Sequence, residues 1–99
     1  MEQFGVGRRA EILEVYEVRR MLELEISRLA AIRRGDKDIM RMRSTLDQCA
    51  QELNAGDMSA YLNVDIEFHL SVAVASKNSI AATAIRFLVS PIVSRLWSA

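Results

Sequence analysis

The chain has little of what most single-chain chemistries require. Its one cysteine, Cys49, in 99 residues cannot build a disulfide framework and suits a reducing compartment. A single histidine, His69, leaves no nucleophile–base–orienter set, and no glycine-rich phosphate loop is present. A metal-dependent enzyme would need an open ion with enough ligands or a general base, and nothing here supplies either. Thirteen Lys and Arg cancel thirteen Asp and Glu, so no global field draws nucleic acid or an anionic membrane. No apolar run approaches the ~20 residues of a membrane span, and the N-terminus lacks the basic-then-apolar order of a secretion signal. The expectation is a cytoplasmic protein that is not an enzyme.

What the chain has in quantity is apolar helix-forming sequence. Its apolar share of 51% exceeds the usual ~45–50%, and a chain this short covers little of its own surface. Self-association, as a homodimer, is the simplest way to cover the excess. Four helices are predicted, near 10–34, 36–54, 58–76 and 79–98. In the first, Ile12, Val15, Tyr16, Leu22, Ile26, Leu29 and Ala30 recur at helical spacing, and Gly35 stops it. Asp36 is predicted to cap the second, with Asp38 in its first turn and Ile39, Met42, Leu46, Cys49, Ala50 and Leu53 as its stripe. Asn54-Ala55-Gly56-Asp57 ends it and offers Asp57 as the cap of the third. The fourth, opening at Asn78 or Ser79, is apolar on almost every side from Ile80 to Val89. Pro91 is predicted to kink or restart it.

The informative residues are polar ones on apolar stripes. The first helix's stripe passes through Arg19 and Glu23. In the third, Met58, Tyr61, Leu62, Phe68, Val72 and Ala73 share a face with Asp65 and His69. Positions i and i+4 lie roughly 5–6 Å apart, so those two side chains emerge together. An unpaired buried carboxylate costs several kcal/mol, so Asp65 needs a partner. Two readings compete: a satisfied polar cluster of Asp65, His69 and Arg19 inside a bundle, or two ligands of a divalent metal. Cys49 reads as a small core residue, the methionines as gap-fillers, and the Arg8-Arg9 and Arg33-Arg34 pairs as solvated helix ends.

An ordered series of short segments points further. Glu17-Val18-Arg19, Leu22-Glu23 and Leu29-Ala30-Ala31 resemble the opening helix of the FCD domain, the C-terminal domain of FadR-like GntR regulators. Asp36-Lys37-Asp38 and Ala55-Gly56-Asp57 are similar to its next two turns. Asp65-Ile66-Glu67-Phe68-His69, followed by Ala75-Ser76-Lys77-Asn78, resembles the family's D-x-x-F-H segment with a small residue and Asn after it. The resemblance implies an all-α fold, an antiparallel helical bundle or barrel that binds a small organic acid and dimerises. It implies Asp65 and His69 as ligands of a zinc- or nickel-type metal, and Arg19 as a residue directed at the acid. The pattern's remaining two metal ligands are histidines on later helices, beyond Ala99. DNA would be reached only through a winged helix-turn-helix domain absent from these residues. The expected organisation is therefore a linker remnant over 1–9 and a partial FCD-type domain over 10–99. The alternative is a helical structural or dimerisation module with no ligand.

Overall fold

A computed structural model describes the backbone of residues 2–89 and the side chains of residues 9–89. Four helices follow in order: α1 Glu2–Arg33, α2 Asp36–Asn54, α3 Met58–Ala75 and α4 Ser79–Leu88. No strand occurs among the described residues, so the fold is all-α as expected. The helix α1 begins at Glu2, not near Ala10. Gly5 and Gly7 each cost about 1 kcal/mol in a helix, too little to stop one already nucleated further along. Val89 is the C-cap of α4, and the expected continuation through 98 with its disturbance at Pro91 lies outside the described residues.

Each later helix has a legible start. Gly35, in extended backbone, takes the cap position of α2, one place before the expected Asp36, which becomes the first helical residue. Gly35 has no side chain to cap with. Instead Asp38 reaches back and accepts from the Gly35 N–H at 2.8 Å, which neutralises one of the helix's orphan donors. Lys77 Nζ donates to the same Asp38 oxygen at 2.7 Å, tying the start of α2 to the α3–α4 turn. Asp57 caps α3 by accepting from the Ala60 N–H at 3.0 Å, and Asn78 caps α4 by accepting from the Ala81 N–H at 3.0 Å. Gly56 stands at φ +76° in the α2–α3 turn, a conformation that glycine adopts without steric penalty.

The central helix is α3, which packs against each of the other three, while α1 also meets α4. Ile26, Ala73 and Ile85 form the buried core, with Leu22, Leu70, Val72, Ala81, Ala82 and Leu88 against it. Three hydroxyls are buried with them, and each is satisfied by its own helix. Thr45 donates to Met42 O, Ser71 to Phe68 O and Ser76 to Ala73 O. Arg33 Nη1 donates to the Ser76 carbonyl at 3.1 Å, pinning the end of α1 to the end of α3. The α2 stripe is displaced from the expected one. Cys49 of that stripe is buried as expected and Thr45 is buried with it, whereas Leu46 and Leu53 are 51% and 55% exposed. The two pairs lie about 70° apart around the helix, and contact with α3 decides which turns inward.

Candidate functional site

Because α1 and α3 pack face to face, the polar step on each stripe meets the other. Arg19 and Glu23 come from α1, Asp65 and His69 from α3. His69 Nδ1 lies 3.0 Å from Glu23 Oε1, and His69 Nε2 lies 3.6 Å from Asp65 Oδ2. Arg19 joins through Glu23, its Nη2 being 3.6 Å from the same Oε1. The result is a row, Arg19–Glu23–His69–Asp65, that grows more exposed along its length. Side-chain exposure rises from 16% at Arg19 to 42% at Asp65.

The row is not a sealed hydrogen-bonded cluster. Two of its three contacts, at 3.6 Å, are longer than a hydrogen bond. Arg19 Nε and Glu23 Oε1 are both buried without an aligned partner, so the short His69 contact falls off the N–H axis. A buried polar atom left unmatched costs about 1–3 kcal/mol, and two such atoms on adjacent turns of one helix are unusual in a core. The arrangement tolerates a donor and an acceptor that the protein itself does not satisfy.

Electrostatics tie the row together. Proximity of His69 holds the Glu23 carboxyl below its ordinary value, with burial opposing and Arg19 assisting. Glu23 in turn raises the His69 imidazole, with burial opposing and Asp65 adding to the rise. The Arg19 guanidinium stands 5.6 Å from the centroid of the Tyr16 ring, a cation–π distance. The Phe68 ring meets His69 edge-on at 5.9 Å, which limits how the imidazole can turn.

Space exists on both sides of Glu23. Inward, a cavity of about 170 Å³ is lined by Glu23, Ile26, Ser27, Phe68, His69, Val72 and Ile85. Outward, an open cleft of about 450 Å³ is lined by Tyr16, Arg19, Arg20, Glu23, Leu24 and Ser27. The inner volume falls below the ~300–1,000 Å³ of pockets for drug-sized ligands, so only a small molecule suits it.

Among the described residues, no three His, Cys, Asp or Glu side chains are arranged to hold a metal ion. The adjacent carboxylate and imidazole of Asp65 and His69 fit half of such a shell. Cys49 is buried, and burial, with nearby Asp65, raises its thiol above the ordinary value, away from ligand or nucleophile chemistry. Of the three expected site residues, His69 is central, Asp65 adjoins it and Arg19 enters through Glu23. Glu23 is the member that sequence reasoning left out of the site. Its position on the apolar stripe of α1 was the available signal.

The chain matches the model of the FCD domain over residues 14–99. It is 33% identical to the Uxu operon transcriptional regulator of Escherichia coli (strain K12) over 66 residues, 67% of this chain and 26% of that protein. It is 29% identical to the HTH-type transcriptional regulator LutR of Bacillus subtilis (strain 168) over 73 residues, 74% of this chain and 32% of that one. The chain thus spans about a quarter to a third of the length of the curated relatives it matches, both of them transcriptional regulators. No solved structure matches it, and no described helix is long and apolar enough to cross a membrane.

Proposed function

Because the chain belongs to the FCD-domain family, we propose that it is the effector-binding part of a GntR-type bacterial transcription regulator, sensing a small organic acid at the Arg19–Glu23–His69–Asp65 row. The observation that carries this is Arg19. Its Nε is buried and lacks an aligned partner, and it borders an open cleft. A guanidinium with a spare N–H is the group best matched to a carboxylate. The metal expected of the resemblance is retained as part of the proposal. Asp65 and His69 would hold a zinc- or nickel-type ion, which would supply a positive anchor for the acid, with further ligands coming from outside the described residues. Mixed carboxylate and imidazole donors suit those ions better than magnesium.

Partners follow from the same reading. DNA contact belongs to a winged helix-turn-helix domain of the whole regulator, since this chain's charge is balanced and gives no global attraction to DNA. Homodimerisation is supported by apolar side chains left outside the core, among them Leu24 on α1 and Ile80 and Phe87 on α4. Titration calorimetry with a panel of aliphatic mono- and dicarboxylates, with and without zinc, tests the sensing role. Saturable binding of one acid that is lost in Asp65→Ala or His69→Ala supports both acid and metal. Acid binding indifferent to zinc and to both variants removes the metal. If no acid binds under either condition, the chain is a structural helical module.

A further inference from the structure

Glu23 stands between Arg19 and His69 in the row, and the two carboxylates beside His69 are unequally placed in a way that sets its chemistry. A neutral imidazole carries one proton, and the nitrogen that holds it is decided by the partner it meets. On His69, Nδ1 has a carboxylate oxygen at 3.0 Å, whereas the carboxylate beside Nε2 is 3.6 Å away. Only the first separation is within hydrogen-bond range. We propose that Glu23 is the positioning residue of the site: it keeps the His69 proton on Nδ1 and leaves Nε2 as a free lone pair beside the Asp65 carboxylate. The inference rests on the reading that Asp65 and His69 face the ligand.

Four further observations support Glu23 in that role. It is less exposed than Asp65, 29% against 42%, so it sits behind the imidazole and Asp65 sits in front. Its Oε1 is buried with no other aligned donor, so a small turn of the ring that straightens the Nδ1–H contact satisfies both groups at once. Ile26, Val72 and Ile85 line the same cavity as the ring, and apart from Glu23 and His69 only Ser27 adds a polar side chain to it. Arg19 on the other side of Oε1 restrains the carboxylate itself. A carboxylate behind an imidazole in this way fixes the tautomer and raises the ring's basicity as a ligand.

His69 is the only histidine in the chain, so long-range proton–nitrogen NMR reads its tautomer without assignment and without any ligand. At a pH where the ring is neutral, the unmodified protein is expected to show Nδ1–H. Glu23→Ala is expected to shift the population to Nε2–H, the form neutral histidine prefers in water, and Glu23→Gln to keep Nδ1–H through its remaining carbonyl oxygen. Nε2–H in the unmodified protein overturns the inference, as does an unchanged tautomer in a folded Glu23→Ala. Should circular dichroism show that the alanine variant does not fold, Nε2–H in either of the other two proteins overturns it. A parallel cobalt(II) titration separates this from the metal reading. Nδ1–H without any cobalt absorption band leaves the positioning role standing and removes the metal. Cobalt binding that weakens ~10-fold or more in Glu23→Ala supports both.

Discussion

One helical turn separates Glu23 from Ile26 on α1, and one turn separates His69 from Ala73 on α3, yet the two levels of the same interface are built differently. At the Ile26–Ala73–Ile85 level every buried hydroxyl nearby is satisfied by its own helix and the helix ends are capped. At the Glu23–His69 level two buried polar atoms have no aligned partner and space opens on both sides. The helices and packing are shared, so the difference lies in the side chains. Leucine at both positions 19 and 23 would continue the apolar stripe and remove both unmatched atoms. A chain that leaves buried polar atoms unmatched at one level, and there alone among the described residues, marks that level for something other than stability.

The largest effect belongs to the satisfied level. Ile85 is 1% exposed, and Ile85→Ala is expected to destabilise the fold by about 3 kcal/mol, from lost burial and the cavity left behind. Urea denaturation measures it, and a loss under about 1 kcal/mol would mean that α4 is not held against the core as described. Removal of the α4 cap by Asn78→Ala is expected to cost about 1 kcal/mol in the same assay.

A subtler contrast is in pH. Glu23 is held low, so its contribution is present above the ordinary 4.5 and fades as pH falls through its folded value. His69 is held high, so its contribution is present below the ordinary 6.5 and fades as pH rises through its folded value. The pair therefore stabilises most between about 4.5 and 6.5. The stability difference between the wild type and Glu23→Gln should peak in that window and shrink on either side. A difference that does not vary with pH would show that the pair is uncoupled in solution.

Much of this was legible in the sequence, for identifiable reasons. Asp57 and Asn78 mark helix starts because a short side chain that accepts a hydrogen bond has one local use there; Asp57 caps as expected, and Asn78, one of the two expected openings of α4, proves to be its cap. Arg19, Asp65 and His69 were visible because charge on an apolar stripe violates its surroundings. Gly35 as the cap was not, since glycine at a helix start differs from glycine at a helix stop only by how Asp38 folds back. The inward face of α2 was not legible either. Cys49 is buried as its place on the stripe implied, but Leu46 and Leu53 shared that stripe and are exposed while Thr45 is buried, and only the position of α3 decides this. Glu23 was in view on its stripe, yet its use depends on a neighbour 46 positions along, and no local pattern encodes that distance.

The smallest expected change in stability carries the most weight. Arg19→Met keeps the length and apolar stem of the side chain but removes the buried N–H that lacks a partner, so stability in buffer should change by less than about 1 kcal/mol. The decisive measurement is the shift in melting temperature that the best-binding small carboxylate produces in the wild type and in Arg19→Met. The predicted result is a clear upward shift in the wild type and none in the variant, in proteins of nearly equal stability. An equal shift in both would place the acid away from Arg19 and contradict the account.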